Sequence, residues 1–436
     1  MCLKNSHSVV YRTKMKKPPI FLCLAVFAIL DLVSGDYYLP ALKEIVNNIE
    51  STAEDDAEKN NVPGKYWKCN PDVEMTTPQL IRKEGYPAEA HVVLTDDGYL
   101  LTMHRIPKAP GSPAVFLQHG LLSSSSDWVI AGRDKGLAFI LSDLGYDVWL
   151  GNARGNTYSR SHANYSTSDV RFWDFSWHEM GTFDLPAAIS YITKLTQLEN
   201  VSYIGHSMGT TMFYVMAIEK PEVASKINVM LSLAPVAFVG HMKSPIRLLV
   251  PFIREAEFIS HYLGRGEFLP ENKILKFLAK YGCELYVTEE KICANMLFVI
   301  SGFDESEFNF SLMPLIMNHA PAGASTKTIL HYAQEIKSKR FQRYDYGDSG
   351  NMKRYNSTTP PDYDLSKIKV PIAAFWADND WLASPIDVKR LCAYLPNKII
   401  DYKVNYPKFN HLDYLWAIDA PTLVYKEVLA VLQKYR

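Results

Sequence analysis

The chain contains 436 residues, of which 47% are hydrophobic and 12% aromatic, and this length allows one large domain with an insertion, or two domains. Its 46 lysine and arginine residues nearly balance its 47 aspartate and glutamate residues, for a formal net charge of −1. Because there is no basic excess to bind phosphate backbones, the composition argues against a nucleic-acid partner.

The N-terminus has the features of a secretory signal peptide. Lysines precede an apolar run at residues 20–30, and small residues at 33–35 offer a cleavage site before Asp36. A signal-anchor helix is the alternative, but the run is shorter than the ~20 residues that span a bilayer, and Asp31 interrupts it. We therefore expect residues 1–35 to be removed and no transmembrane segment to remain.

Asparagines in Asn-x-Ser/Thr sequons, the acceptors of N-linked glycans, support entry into the secretory pathway. They are Asn164, Asn200, Asn309 and Asn356. Each triplet is weak evidence alone, because such triplets often arise by chance. Together with a signal peptide, they predict a glycoprotein that is secreted or lysosomal.

Four cysteines remain after signal removal, and they allow three pairings. They are Cys69, Cys283, Cys293 and Cys392. Cys283 and Cys293 are close in sequence, and an oxidising compartment permits a bridge between them. Two buried free thiols are the alternative.

From about residue 90 the sequence alternates short apolar strands with amphipathic helices. Strand patterns occur at residues 114–120, 146–155, 201–205, 227–235, 370–378 and 401–406. Helical patterns occur at residues 183–197 and 210–220 and from about 421 to 433. This alternation predicts an α/β protein with a mostly parallel sheet covered by helices on both faces.

The alternation stops in residues 238–364, which are irregular, mostly helical and rich in aromatic residues. An insertion at this point lies above the carboxyl ends of the strands, where open sheets hold their sites. We therefore predict a core of residues 70–237 and 365–436 with a cap between them. Apolar faces at helical spacing in residues 244–253 and 274–282 are explained equally well by a lid that contacts lipid or by packing onto the core.

The segment "GHSMG" places Ser207 between Gly205 and Gly209 in the pattern Gly-x-Ser-x-Gly. A nucleophile elbow requires a strand before the serine and a helix after it, and both are predicted here. Side chains in place of the two glycines would clash with the neighbouring strand and helix. We therefore predict that Ser207 is a nucleophile, the alternative being a structural turn.

A serine hydroxyl needs a base to take its proton, and in this fold type the acid and then the histidine follow the serine. After His331 only His411 remains, on a loop between a strand and a helix, so we predict that it is the base. The acid must follow the strand that begins at Val370, where Asp378 and Asp380 both stand. Spacing alone does not separate the two.

An oxyanion hole of this type uses two backbone N–H groups. One belongs to the residue after the nucleophile, Met208, and the other is predicted at Leu121, in the loop after an early strand. The neighbouring His119 and His206 are expected to brace these loops. We find no zinc-binding spacing, dinucleotide-binding glycine loop or phosphate loop, so neither a cofactor nor a metal is expected.

These motifs resemble the acid lipases, the α/β-hydrolase group that contains gastric lipase and lysosomal acid lipase. The resemblance runs from about Asn70 to the C-terminus and rests on the strings "FLQHGLL", "DVWLGNARGNTYSR", "FWDFSWHEMGTFDLPA", "YIGHSMGTT", "NDWLASP" and "NHLDYLWAIDAP". It implies an α/β-hydrolase fold with a mobile lid, and hydrolysis of triacylglycerols or cholesteryl esters, often in acid. Residues 36–69 match poorly and are either a propeptide or an extra surface segment.

The resemblance also implies individual roles. It assigns the acid to Asp380, in the "ND" that precedes "A-x-P", and it implies a disulfide between Cys283 and Cys293. The family usually has glutamine where this chain has Met208, and a free cysteine where this chain has Ser301.

The sequence therefore predicts a lipase or esterase that hydrolyses neutral-lipid esters at a lipid–water interface. The predicted mechanism forms an acyl-enzyme on Ser207, with His411 and Asp380 completing the triad. A weakly active or inactive lipid-binding or lipid-transfer protein on the same scaffold is one alternative. An esterase for soluble esters is the other.

Overall fold

The computed structural model describes residues 72–247, 266–268 and 297–436, which fall within one compact unit, Trp67–Arg436. The predicted signal peptide, the segment 36–69, and Cys283 and Cys293 lie outside the described residues. The two predicted lid segments also lie outside the described residues, all of 274–282 and most of 244–253.

The strands, numbered in chain order, are β1 Glu89–Leu94, β2 Tyr99–Ile106, β3 Ala114–Gln118, β4 Asp147–Leu150, β5 Ser161–His162, β6 Val201–His206, β7 Ile227–Leu233, β8 Glu267–Phe268, β9 Ala324–Ser325, β10 Ile372–Trp376 and β11 Lys398–Lys403. The helices are α1 Thr77–Lys83, α2 Leu137–Asp143, α3 Trp177–Glu179, α4 Leu185–Thr196, α5 Met208–Glu219, α6 Pro221–Ala224, α7 Met313–His319, α8 Thr326–Ser338, α9 Gly347–Tyr355, α10 Pro385–Tyr394, α11 Asp413–Trp416 and α12 Lys426–Lys434.

One sheet organises the described residues, in the order β1-β2-β4-β3-β6-β7-β10-β11, with β5 paired to β2. From β4 to β11 all neighbouring strands are parallel. The mostly parallel sheet predicted from the alternation is thus confirmed. The antiparallel hairpin β1–β2 at one edge is an addition, because two strands joined by a short turn have no helix between them to complete the strand–helix pattern.

Side chains of the central strands alternate between two buried clusters, one on each face of the sheet. Val115 and Leu117 of β3 join a cluster that includes residues of α2, α11 and α12. Phe116, between them, joins a second cluster with residues of α4 and α5. Because successive side chains of a strand point to opposite faces, this division confirms that helices cover both faces.

The edge strand β11 lies three residues earlier than the sequence predicted, at Lys398–Lys403 in place of residues 401–406. Its side chains alternate between half-buried and exposed, whereas every side chain of β10 is buried. An edge strand therefore lacks the continuous apolar run that marks a central strand, and its bounds are harder to predict.

Between β7 and β10 the chain leaves the sheet and forms α7, α8, α9 and the small β8–β9 pair. Three side chains of α7, Met313, Leu315 and Ile316, join the core cluster on the α2 face. The insertion therefore leaves the sheet at its carboxyl edge and packs in part onto the core. The limits of the cap, residues 238–364, remain a prediction from the sequence.

A buried cationic side chain joins the loop after β4 to two other segments. Arg154 is 1% exposed, and its guanidinium donates to Asp97, in the β1–β2 turn, at 2.6 and 2.9 Å. It also donates to Asp184, directly before α4, at 2.7 Å, and its guanidinium lies 3.9 Å from the ring centroid of Tyr99. A buried charge is tolerated only while its partners are present, so this cluster depends on all three ionised side chains.

We predict that Arg154→Met lowers the free energy of unfolding by about 3–5 kcal/mol, because it leaves Asp184 buried without its counter-charge. Chemical denaturation measures the loss. The matched control is Arg171→Met. Arg171 is 67% exposed and forms an ion pair with Asp169. Because exposed ion pairs contribute little to stability, we expect the denaturation midpoint of this variant to stay close to that of the wild type. Equal destabilisation by the two changes would contradict this role for Arg154.

Candidate active site

Ser207 occupies a sharp turn between β6 and α5. Its backbone dihedrals are φ 52° and ψ −119°, a left-handed conformation that side-chain-bearing residues rarely adopt. The Ser207 N–H donates to the carbonyl of Leu233, at the end of β7, at 3.1 Å. This is the strained strand–turn–helix geometry of a nucleophile elbow, and it places the hydroxyl at the carboxyl edge of the sheet.

The two glycines of the motif allow the close packing of this turn. A Cβ at Gly209 would lie 2.4 Å from the carbonyl oxygen of Gln118, in β3. A Cβ at Gly205 would lie 2.9 Å from the backbone of Gly209. The predicted clash with neighbouring strand and helix is confirmed, and it explains why the pattern needs glycine at both positions.

Three predicted residues from distant parts of the chain form one hydrogen-bonded line. The Nε2 atom of His411 lies 2.8 Å from the Ser207 hydroxyl. The Nδ1 atom of His411 lies 2.9 and 3.0 Å from the two carboxylate oxygens of Asp380. Because the carboxylate can only accept, Nδ1 carries the hydrogen, and Nε2 is free to accept the proton of the serine.

The two aspartates that spacing did not separate have different environments, and these agree with the choice of Asp380 that the family resemblance implies. Asp380 is 1% exposed, and its Oδ1 also accepts the backbone N–H groups of Leu382 and Ala383, at 2.9 and 2.7 Å. Asp378 is half-exposed and forms an ion pair with Lys403 at 2.6 Å. Only Asp380 is within reach of the imidazole.

His206 braces the loop that carries His411. Its Nε2 lies 2.8 Å from the His411 carbonyl oxygen, so the ring nitrogen must be the donor. Burial lowers the pKa of His206 well below its usual range, which keeps the ring neutral. The bracing role predicted for this histidine is confirmed.

His119 braces the loop after β3 in the same way. Its Nδ1 donates to the carbonyl of Gly120 at 2.7 Å, and its Nε2 accepts the backbone N–H of Ala153 at 3.1 Å. Burial lowers the pKa of His119 to about 4. Two neutral imidazoles thus hold the backbone on either side of Ser207, as the sequence predicted.

The segments that carry the two predicted oxyanion donors meet at this turn. Met208 is the first residue of α5, and the first N–H groups of a helix have no partner within it. The loop with Leu121 begins beside the serine, because a Cβ on Gly120 would lie 3.1 Å from the Ser207 Cβ. The Met208 side chain is buried in the apolar cluster on the α5 face.

One segment that joins the acid and histidine loops contains no recognisable sequence motif. The carbonyl of Ser301 accepts the backbone N–H of Trp381, at 3.1 Å, and that of His411, at 3.4 Å. In the sequence, Ser301 stands out only as a position where the acid lipases usually have a free cysteine. A contact made by a backbone carbonyl leaves no constraint on residue type, so sequence patterns could not have found it.

The four sequons differ in accessibility. Asn164, Asn200 and Asn356 are exposed, whereas Asn309 is half-buried and accepts the Ser311 backbone N–H at 3.1 Å. The three exposed asparagines are therefore accessible for attachment of an N-linked glycan in the folded protein. Glycosylation of all four stays a prediction.

The remaining candidate sites involve cysteines and metals. Cys392 is a buried free cysteine, and burial raises the pKa of its thiol to about 11. Over the described ranges, no group of three histidine, cysteine or acidic side chains is arranged to hold a metal ion. In the same ranges, no helix has the length and apolar character to cross a membrane.

Comparison with known proteins agrees with this geometry. Residues 113–418 match the family described as alpha/beta hydrolase fold, which confirms the predicted fold class. Residues 77–132 match the partial alpha/beta-hydrolase lipase region.

Named relatives are similar over most of their length. The chain is 43% identical to Lipase 3 of Drosophila melanogaster, covering 82% of this chain and 92% of the relative. It is 38% identical to human lysosomal acid lipase/cholesteryl ester hydrolase (86% and 94%) and 41% identical to human gastric triacylglycerol lipase (85% and 94%). The resemblance found in the sequence is thereby confirmed, and the chain belongs to the α/β-hydrolase lipase family that contains the gastric and lysosomal acid lipases.

Proposed function

We propose that this carboxylic ester hydrolase cleaves neutral-lipid esters with Ser207 as the nucleophile, His411 as the base and Asp380 as the orienting acid. The hydrogen-bonded line Ser207–His411–Asp380 at the carboxyl edge of the sheet carries the proposal. It has the distances and the tautomer that a serine nucleophile requires.

In the proposed mechanism the Ser207 oxygen attacks the ester carbonyl while its proton passes to Nε2 of His411. The Asp380 carboxylate stabilises the imidazolium that forms. The tetrahedral intermediate collapses, and the alcohol leaves with the proton from His411. Water then gives a proton to the same nitrogen and attacks the acyl-enzyme, and His411 returns that proton to the Ser207 oxygen as the fatty acid is released.

The negative charge on the carbonyl oxygen needs fixed donors. We assign these to the backbone N–H groups of Leu121 and Met208, and the positive end of the α5 dipole adds to the effect of the second. The closeness of Gly120 to Ser207, and the two histidines that brace this region, support the assignment. Because the donors are backbone groups, they require no particular side chain.

The substrate class follows from the relatives rather than from the geometry. Their names include triacylglycerol lipase and cholesteryl ester hydrolase, which supports triacylglycerols and cholesteryl esters as substrates here. We further propose that the insertion at residues 238–364 forms the cap, with its lid, over the site. The contacts of Ser301 with the acid and histidine loops support this position.

We place the protein in the secretory pathway, either outside the cell or in the lysosome. The predicted signal peptide, the exposed sequons and relatives named as gastric and lysosomal lipases support this location. The proposed working partner is a lipid–water interface, with neither nucleic acid nor a metal involved.

The first test is Ser207→Ala. We expect kcat on emulsified triolein and on cholesteryl oleate to fall by about 10⁶, because without the hydroxyl no acyl-enzyme forms. The same enzyme preparation is assayed on a dissolved short-chain ester. A wild-type protein that is active only on the dissolved ester would be an esterase for soluble esters. Activity of the Ser207→Ala variant close to that of the wild type would contradict the proposed mechanism.

A second test separates the two aspartates. Asp380→Asn should lower kcat by about 10⁴, because an amide no longer enforces the His411 tautomer. Asp378→Asn, the same chemical change two residues away on the surface, should leave kcat unchanged. A large loss in the Asp378 variant with a small one in the Asp380 variant would reverse the assignment.

The third test concerns the residue after the nucleophile. Met208→Gln keeps the backbone N–H, so we expect an active enzyme whose kcat is close to that of the wild type. The side chain is buried in an apolar cluster, so an unpartnered amide there should lower the free energy of unfolding by about 1–3 kcal/mol. Met208→Leu is the apolar control, and a large change in kcat for the glutamine variant alone would show that the side chain takes part in catalysis.

A further inference from the structure

Two buried carboxyl groups lie behind the loop that carries His411. Asp304 is 1% exposed and Asp413 is 2% exposed. Asp413 begins α11, two residues after His411, and Asp304 follows the segment that contacts both catalytic loops. The two carboxyl groups are within hydrogen-bonding reach of each other.

One buried carboxylate oxygen of this pair lacks a hydrogen-bond donor among the described residues. Oδ1 of Asp304 accepts the hydroxyls of Ser306, at 2.9 Å, and Tyr406, at 3.4 Å. Oδ2 of Asp304 is buried and has no hydrogen-bond donor among the described residues. Oδ2 of Asp413 accepts the backbone N–H of Asn410 at 2.6 Å. A buried carboxylate oxygen without a donor is unfavourable, and a single proton held between the two acids would provide the donor.

The pair is connected directly to the residue before His411. The Asn410 side chain donates to the carbonyl of Gly302 at 3.1 Å and accepts the N–H of Leu412 at 2.8 Å. Asn410 is thus held from one side by the Asp304 segment and from the other by Asp413. These hydrogen bonds connect the two acids to the backbone directly before His411.

Other titratable groups near the pair make it harder for both acids to be ionised. Burial, Asp304 and Glu307 raise the pKa of Asp413 well above its usual range, opposed by the Asn410 N–H. Glu307 and the phenol Tyr406 act on Asp304, and the phenol Tyr414 acts on Asp413. Asp419 and the cation Lys135 act on Glu307, and Asp380 and His206 lie beside Tyr414. The short helical turn at residues 125–128, which contains Asp127, packs against α11. Neighbouring like charges favour retention of a proton by one acid.

We propose that Asp304 and Asp413 share one proton, and that this acid–carboxylate pair positions the His411 loop for catalysis in acid. The proposal rests on the role assigned to His411 above. When the shared proton is lost, two adjacent carboxylates repel each other. The loop is displaced, and His411 Nε2 no longer lies within hydrogen-bond distance of the Ser207 hydroxyl. The pair acts through Asn410 and His411 and does not touch the substrate, so these are positioning residues.

The sign of the pH dependence follows from proton linkage. The folded pair holds its proton more tightly than the unfolded chain does, in which both carboxyl groups have ordinary pKa values. The stability contributed by the pair is therefore fully present below the unfolded pKa and is lost as pH rises through the folded one. Activity that depends on the pair falls over the same interval.

The test is Asp304→Asn, whose amide nitrogen can donate to Asp413 at every pH. We measure kcat/KM against pH on a dissolved short-chain ester. In the wild type, loss of one required proton lowers kcat/KM by about tenfold per pH unit on the alkaline side. In the variant, this fall should be absent or begin at higher pH. A fall at the wild-type pH, or a loss of the same proportion at all pH values, would overturn the proposal.

The matched control is Asp419→Asn, the same change at an exposed acid beside Glu307. It should leave the alkaline limb of the profile in place. An equal displacement of that limb by the control would show that general charge, and not a shared proton, is responsible.

A stability measurement covers the case in which Asp304→Asn does not fold, and it does not require catalysis. In the Ser207→Ala protein, we measure the free energy of unfolding at several pH values with and without Asp413→Asn. The added asparagine should reduce the decline in stability with rising pH. Identical declines would overturn the shared proton, whereas failure of the acyl-enzyme mechanism would leave this result unaffected.

Discussion

The conformation of Ser207 is the constraint on which the rest of the site depends. A positive φ at a non-glycine residue is unfavourable, and it persists because its surroundings leave no alternative. β6 enters the turn as a fully buried central strand, and α5 leaves it against the backbone of β3, with only a glycine between them. The rigidity of the sheet thus holds the hydroxyl at its carboxyl edge, where β10 and β11 end and the loops after them begin.

Around that hydroxyl, burial determines which polar groups remain neutral. His119 and His206 are buried beside the turn, and their low pKa values make them fixed hydrogen-bond donors rather than additional cations. His411 is equally buried, but it alone faces a carboxylate, Asp380. In the proposed mechanism this imidazole accepts the serine proton, while its two neighbours serve as braces. This division requires both a dry environment and the placement of a single negative charge.

Sequence patterns predicted the fold well in the centre of the sheet and less well at its edges. Central strands such as β3 and β10 are apolar throughout because both faces are covered, and their positions were evident. The edge strand β11 was placed three residues late, and the hairpin β1–β2 was not identified, since half-exposed strands have a weaker pattern. Within the site, residue order singled out Ser207 and His411, whereas spacing left two aspartates open at one strand end, and only the family resemblance pointed to Asp380.

By itself the sequence determined the order of strands and helices, the elbow motif, the single available histidine and the family. These properties are local, or depend on residue type alone, so they can be found in a one-dimensional pattern. Only the tertiary structure decided that Asp380 faces the imidazole while Asp378 faces Lys403, that Ser301 joins the two loops through its carbonyl, and that Asp304 meets Asp413. Such contacts join residues tens to hundreds of positions apart, and they depend on burial and direction, which residue order does not specify.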